Sequence, residues 1–195
     1  MDRVTYDVSA VFHRQLHPIC LGIMVERRLN RLLDWLDSKS GWPFVAILYI
    51  ARWLVLLPVS AVTHFALSDA DLAAASIPDE WKDGTAIGLF VGLVVVPPLL
   101  ETLLVCSLPY WIVSWVRGYR QRRPHRCWVF VAISACGMVA LHPIPAAVPA
   151  TLVTGVFLAY CYAHFAATST WKAIVATWVF HGGINLVGWT MLMIA

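Results

Sequence analysis

Long apolar runs separated by short polar segments dominate the pattern of this chain. Each run is close to the roughly 20 residues that an α-helix needs to cross the hydrocarbon core of a bilayer. The runs lie near residues 43–64, 84–116, 127–142, 144–167 and 171–194. The second run is too long for one straight helix, and the prolines in it predict breaks or kinks: Pro97, Pro98 and Pro109. The pattern therefore predicts an all-α, polytopic membrane bundle of about five transmembrane helices.

Composition and charge agree with a membrane protein and indicate its orientation. Of the 195 residues, 60% are hydrophobic and 13% are charged, whereas a soluble domain carries about 25% charged residues. Six lysines and arginines precede the first run and five lie between the second and third, whereas the segment after the first run is acidic. Because cytoplasmic loops carry the excess of basic residues, we expect the N-terminus inside and the C-terminus outside.

The first 41 residues form a segment of different character. Leucines and other apolar residues recur at helical spacing between residues 21 and 36, with basic residues between them. This pattern predicts an amphipathic helix on the inner membrane surface, with the lipid bilayer as its partner and no nucleic acid. We therefore expect two parts: a cytoplasmic arm over 1–41 and a membrane-embedded helical domain over 42–195.

One acidic residue stands out in the apolar part of the chain. Glu101 is the only Asp or Glu between Gly84 and the C-terminus, and it closely follows Pro97 and Pro98. An ionisable side chain at membrane depth is costly and is therefore a functional candidate. The prolines are expected to free backbone carbonyls near Leu93 and Val94, so that Glu101 would lie beside trapped water. The alternative is a structural glutamate that pairs with Arg52 or a histidine.

Two histidines and an asparagine complete the candidate set. Glu101 lies 16 residues before Arg117 and His142 lies 16 residues after Arg126, so in a hairpin both would stand about 24 Å along their helices. His181 and Asn185 are spaced i, i+4 and share one helix face. The alternatives are an interfacial role for His142 and interhelical hydrogen bonding for His181 and Asn185.

These residue types suit hydrolysis by an activated water. A carboxylate and a histidine can deprotonate and orient a water, while a histidine and an amide can donate hydrogen bonds to an oxyanion. The sequence contains neither a G-x-S-x-G nor an H-E-x-x-H motif. We favour a metal-free mechanism without a cofactor, although one glutamate and two histidines are also a ligand set for zinc.

The motifs resemble those of the CAAX prenyl protease and bacteriocin-processing family, the Abi-type membrane proteases. The family pattern is E-E-x-x-x-R, then F-x-x-x-H, then H-x-x-x-N or H-x-x-x-D, each on its own helix. Here the three motifs are carried by Glu101 to Cys106, Met138 to His142 and His181 to Asn185. The resemblance covers about residues 84–190 and implies an intramembrane glutamic endopeptidase. By that resemblance Glu101 and His142 activate the water, and His181 and Asn185 bind the oxyanion.

The first motif departs from the family pattern in two positions. Thr102 replaces the second glutamate and Cys106 replaces the arginine, so neither charge of that pair is left buried alone. We also expect Arg52, a lone base in the first span, to face the bundle interior and pair with a polar group near Glu101.

The resemblance implies a peptide or protein substrate, such as a leader or C-terminal peptide, and a location in the bacterial inner membrane. The sequence identifies neither the substrate nor the oligomeric state. The alternative functions are a non-catalytic scaffold or bacteriocin-immunity protein, and a b-type haem carrier using His142 and His181.

Overall fold

The computed structural model describes residues 27–68, 84–115 and 127–194, and within these ranges every regular element is a helix. The chain divides into two compact units between Ser40 and Gly41. In the first unit, residues 27–37 form helix α1, which lies within the second half of the predicted amphipathic arm. The earlier part of that predicted helix lies outside the described residues.

The second unit contains five longer helical segments, labelled α2 to α6. Their bounds are α2 Gly41–Ala66, α3 Ala86–Ser114, α4 Trp128–Leu141, α5 Val148–Ala166 and α6 Thr170–Ile194, with a 3-10 turn at Pro145–Ala147 before α5. The predicted all-α class is therefore confirmed for the described residues. Three helical stretches are long and apolar enough to cross a membrane by length and composition: Gly41–Ala66, Ala86–Ser114 and Pro145–Ala166.

Helix α5 lies at the centre of this unit. It packs against α2, α4 and α6 and against the middle of α3. In its most apolar stretch 56% of the residues are buried, compared with 22% for α2. Gly155 allows the closest approach, because a Cβ atom there would lie 2.8 Å from the Ala135 Cα of α4. Small residues of this kind let helix backbones approach each other.

Helix α3 is not ended by its prolines, but its regular α-helical geometry is interrupted near them. It contains two π-helical turns, Val91–Val95 and Thr102–Ser107, which flank the α-helical turn Val96–Glu101. A π-helical turn accommodates one extra residue without ending the helix, and such turns are frequent at functional sites. Glu101 is thus the last residue of the short α-helical segment between the two π-helical turns.

The prolines of α3 leave backbone carbonyls without partners inside the helix. The Leu93 carbonyl would accept from residue 97 in an α-helix and from residue 98 in a π-helix, and both are prolines without an N–H. Helix α6 supplies the missing donor, because Asn185 Nδ2 donates to the Leu93 oxygen at 2.9 Å. Trp178 Nε1 donates to the neighbouring Val95 oxygen at 2.9 Å, although the α-helical donor of that oxygen would be Leu99, which has an N–H.

Gly182 lies between these two donors on the same face of α6. A Cβ atom at Gly182 would lie 2.8 Å from the Val94 carbonyl oxygen, which is closer than a carbon and an oxygen normally approach. The three residues Trp178, Gly182 and Asn185 therefore form one stripe, the carbonyl-binding stripe, that fits α6 onto the irregular backbone of α3. The carbonyl of Leu93, one of the two predicted to be freed by the prolines, is bonded by this stripe, and that of Val94 lies against it.

The two glycines Gly182 and Gly188 of α6 give a matched test of this close approach. Gly182→Ala should lower the free energy of unfolding by about 1–3 kcal/mol, the usual cost of forcing extra atoms into a packed site. Gly188→Ala should raise it by up to about 1 kcal/mol, since alanine is the better helix former and a Cβ atom at Gly188 meets nothing within 4 Å. Thermal unfolding of the purified protein in detergent measures both. Equal effects of the two substitutions would contradict the close fit at Gly182.

Candidate active site

Glu101 contacts both predicted histidines. Glu101 Oε1 lies 3.8 Å from His142 Nε2, and Glu101 Oε2 lies 3.3 Å from His181 Nε2. The contact with His181 is at ion-pair distance but is not aligned as a hydrogen bond, because Oε2 has no hydrogen-bond partner among the described residues. Three of the four predicted site residues, from α3, α6 and the end of α4, are therefore brought together around one carboxyl group.

The ring of His142 is oriented by the helix that precedes it. His142 follows the last residue of α4 with a non-helical backbone, φ −123° and ψ 71°. Its Nδ1 lies 3.0 Å from the Met138 carbonyl oxygen. A carbonyl oxygen only accepts hydrogen bonds, so Nδ1 must carry the hydrogen. In the neutral ring Nε2 then carries the lone pair, and it faces Glu101.

His181 lies deeper than His142. Its side chain is 3% exposed, compared with 39% for His142 and 16% for Glu101. The His181 Nδ1 atom is buried and has no hydrogen-bond partner among the described residues. The helix that carries it is fixed from two sides, by the carbonyl-binding stripe on α3 and by Tyr49 of α2, whose hydroxyl donates to the Gly183 oxygen at 3.0 Å. The position of His181 beside Glu101 therefore follows from how α6 docks.

Asn185 forms an interhelical hydrogen bond, which the sequence analysis gave as its alternative role. One hydrogen of its amide is used in the bond to the Leu93 carbonyl. The side-chain amide carries two hydrogens, so one remains for another acceptor. Asn185 also lines the cavity described below. The predicted oxyanion role therefore depends on the second amide hydrogen of Asn185, because the first is used by the backbone of α3.

A cavity of about 200 Å³ lies beside the two histidines. The polar residues that line it are Arg52, His142, Thr151, Thr154, His181 and Asn185, together with Met138, Ala150 and Ile184. This volume is large enough for several water molecules, since a single water needs roughly 10–15 Å³ of such space. The cluster of Glu101 and the histidines thus adjoins a polar space within a bundle of apolar helices.

Arg52 lies on the buried face of α2, as predicted. It belongs to a stripe at helical spacing with Phe44, Leu48 and Leu56, and it is 5% exposed. Its partner is Thr154 of α5, whose Oγ1 accepts from Arg52 Nε at 3.2 Å and from Nη2 at 3.0 Å. The expected pairing with a polar group near the site is present, and that group is a threonine hydroxyl.

Sequence reasoning missed Thr154, Trp178 and Tyr49. Thr154 gives no sequence signal, because a threonine in an apolar helix ordinarily bonds its own backbone, as Thr154 also does to the Ala150 oxygen at 2.9 Å. Trp178 had a detectable signal. It lies seven residues before Asn185, at the spacing of one helix face, so the need of α3 for donors pointed to it.

The two positions that depart from the family pattern are buried in the bundle. Thr102 and Cys106 are each 1% exposed. An arginine at residue 106 would have to displace packed neighbours, and its charge would need a partner that Thr102 cannot supply. The replacement of both residues together therefore suits the packing at this part of α3.

Glu101, His142 and His181 are donor types that zinc takes. However, among the residues that the structure describes, no group of three or more His, Cys, Asp or Glu side chains is arranged to hold a metal ion. A direct test for metal dependence is included below.

Comparison of the chain with protein families, curated proteins and solved structures gives no match. The functional argument therefore depends on the geometry of the site itself.

The bond between Asn185 and Leu93 predicts a stability effect that a purely catalytic asparagine would not have. Asn185→Ala should lower the free energy of unfolding by about 1–3 kcal/mol, because the Leu93 carbonyl loses its only outside donor. Asn185→Asp should cost more, since it places a second acceptor against that carbonyl. Thr190→Ala, whose hydroxyl bonds the exposed backbone of the same helix, is the control and should change stability little. Wild-type melting of both Asn185 variants would show that the Leu93 carbonyl needs no partner.

Proposed function

We propose that this protein is a membrane-embedded endopeptidase that hydrolyses a peptide bond with a water activated by Glu101 and His142. The observation that carries the proposal is a single carboxyl group held between two histidines beside a polar cavity, in a bundle of apolar helices. An acid among apolar membrane helices is costly and is usually functional.

The distance between Glu101 and His142 suits a bridging water. Glu101 Oε1 and His142 Nε2 are 3.8 Å apart, which is too long for a direct hydrogen bond. In the neutral tautomer set by Met138, both atoms are acceptors. A water that donates one hydrogen to each would fit between them and would present its lone pairs to a peptide carbonyl in the cavity. Two acceptors that share one water are the arrangement that general-base catalysis needs.

The proposed step balances in atoms and protons. The water oxygen forms a bond to the carbonyl carbon, its proton passes to Glu101 or His142, and the carbonyl oxygen becomes an oxyanion. When the oxyanion collapses, the C–N bond breaks and the leaving amine takes the proton that the general base received. His181 and the second amide hydrogen of Asn185 are the donors proposed for the oxyanion. A leader or C-terminal peptide of a membrane-associated protein is the proposed substrate class.

The proposed membrane arrangement has five spans with the N-terminus inside. Helix α6 has 25 residues and so measures about 37 Å, long enough for a hydrocarbon core of about 30 Å. Helix α4 has 14 residues and measures about 21 Å. A helix that starts at the surface and ends after about 21 Å leaves His142 within the hydrocarbon layer. The non-helical residues at 142–144 then require protein or water around them, as a polar cavity provides.

This topology is tested by fusing reporters to the chain. A reporter after Arg123 should be found in the cytoplasm, because five arginines lie between the second and third spans. A reporter after Ala195 should be found outside. A C-terminal reporter in the cytoplasm would show that the number of spans is even and would overturn the hairpin of the second and third spans.

The catalytic role of Glu101 is tested by variants that keep its size. Glu101→Gln removes the carboxylate that accepts the proton, and cleavage should fall by about 10²–10⁴-fold while the fold persists. His142→Ala should be comparably damaging, and the double variant should lose little more, because both residues act on one water. Thr102→Val is the matched control, since it replaces the neighbouring buried residue with one of the same shape and should keep wild-type activity. A fluorescence-quenched peptide pool in detergent micelles measures the rates.

The same assay with and without a chelator separates the metal-free mechanism from a zinc enzyme. The metal-free mechanism predicts unchanged rates in the chelator. Chelator inactivation that zinc reverses would assign Glu101, His142 and His181 to a metal centre instead. Full activity of Glu101→Gln would leave Glu101 as a structural polar group, as in a non-catalytic scaffold.

A further inference from the structure

The charge of Arg52 is not balanced by the fold. Arg52 is the twelfth residue of the 26-residue helix α2 and is 5% exposed. Two of its nitrogens donate to one neutral threonine, and its Nη1 has no hydrogen-bond partner among the described residues. No carboxylate in the part of the chain that the structure describes forms an ion pair with it. Its other close neighbour is the Trp53 ring, 4.8 Å from the guanidinium carbon.

A buried cation of this kind is costly unless something balances it. Burying an arginine without a counter-ion disfavours the folded state, and an apolar residue of similar volume is often the more stable choice. The packing of α2 on α5 therefore does not explain why residue 52 is an arginine. A ligand or a reaction intermediate with a negative charge would explain it.

The surroundings of Arg52 have the character of an anion-binding site. Arg52 and Thr154, which bond each other, both line the cavity of about 200 Å³. The other polar residues that line the same space are His142, Thr151, His181 and Asn185. No acidic side chain is among the residues that line this cavity. The guanidinium is the only side chain in this set that carries a permanent charge.

We propose that Arg52 binds the oxyanion formed in the cavity, and is thus a further catalytic residue of the proposed hydrolysis. This inference rests on the function proposed above and names a group that the family resemblance does not supply, because Arg52 lies outside the three motifs. The anionic oxygen accepts from the guanidinium of Arg52 and from the second amide hydrogen of Asn185, and both residues line the cavity.

The movement of charge during the reaction favours this assignment. The proposed base is the carboxylate of Glu101, which lies between the two histidines and is not among the residues that line the cavity. When Glu101 or His142 takes the proton of the attacking water, a negative charge develops on the carbonyl oxygen in the cavity. Arg52 is fixed by Thr154 before the reaction begins, so it stabilises that charge without reorganising. The interaction is then stronger in the transition state than in the ground state, which is the condition for raising kcat.

Asn185 alone is a weaker candidate for this task. One of its hydrogens is already used by the Leu93 carbonyl. A neutral amide also stabilises an anion less than a guanidinium does, because it lacks the Coulomb attraction between two opposite full charges. The second hydrogen of Asn185 therefore acts beside Arg52.

Binding of methylphosphonate, a small tetrahedral anion, tests the site without a substrate. At constant ionic strength methylphosphonate should raise the melting temperature of the wild-type protein, because a ligand that binds only the folded state stabilises it. The rise should be lost in Arg52→Gln and Arg52→Met. It should persist in Lys172→Met, which removes an exposed positive charge from α6. No rise in the wild type, or an equal rise in the Arg52 variants, would overturn the anion site.

The melting temperatures without anion separate binding from a structural role. A binding role predicts that Arg52→Met melts at or above the wild-type temperature, since it removes an unbalanced buried charge. A clear loss of melting temperature in both Arg52→Met and Arg52→Lys would instead make Arg52 a structural residue and contradict the proposal.

Kinetics on the quenched peptide pool separate this inference from the proposed function. Arg52→Gln should lower kcat by about 10²–10³-fold, the usual loss of one oxyanion donor, and leave KM unchanged. A raised KM with wild-type kcat would mean that Arg52 binds a carboxylate of the substrate, and it would overturn the oxyanion role. Wild-type kcat and KM in folded Arg52→Gln would also overturn the oxyanion role. The proposed function would still stand if cleavage depended on Glu101.

If no cleavage depends on Glu101, the proposed function fails, and the catalytic role of Arg52 fails with it. Binding of methylphosphonate then decides only whether Arg52 forms an anion site.

Discussion

The carbonyl oxygen of Leu93 lacks a backbone donor in either helical register, because residues 97 and 98 are both prolines. A buried carbonyl without a partner costs free energy, and an apolar bundle offers few donors. Asn185 meets this need from α6, with Trp178 and Gly182 above it on the same face. Docking α6 in this register is what brings His181 to Glu101. The geometry around Glu101 therefore depends on a carbonyl of α3 that has no donor within its own helix and on the donor that α6 supplies.

The charges in the bundle are arranged in two separate groups. Glu101 lies beside two histidines, whereas Arg52 bonds a threonine and lies over a tryptophan ring. A direct pair between the acid and the arginine would cancel both charges and leave neither for a reaction. Keeping them apart costs stability. Sites that act on a substrate often carry such a cost, because a group that is fully satisfied in the folded state has nothing left to offer a transition state.

Much of this fold could be predicted from the sequence, and the residues show where prediction ended. Apolar runs gave the helix bounds to within a few residues, since hydrophobicity determines which segments become helices. Counting from the basic segment placed Glu101 and His142 at similar depth, and the structure has them in contact. The count could not give the facing angle, which depends on the π-helical turns of α3. The continuity of α3 through Pro97 was likewise not predictable, because it depends on donors from residues far away in the chain.

The contacts that could not be predicted from the sequence are those between residues of two different helices. Thr154 became visible only through Arg52, which lies 102 residues earlier in the chain. The structural task of Asn185 became visible only through Leu93, 92 residues earlier. Single-sequence patterns report spacing within one helix, and they carry no information about which carbonyl of another helix lies opposite.

The side chains of Glu101, His142 and His181 differ in how far they are exposed. His142 is the most exposed of the three and has one ring nitrogen fixed by the Met138 carbonyl. It also lines the polar cavity, while its other nitrogen faces Glu101. His181 is almost completely buried, and its only ionisable neighbour within ion-pair distance among the described residues is Glu101. The carboxyl group of Glu101 therefore has a buried imidazole on one side and a partly exposed imidazole on the other. The two histidines thus serve one carboxylate from opposite sides of a boundary between water and the bundle interior.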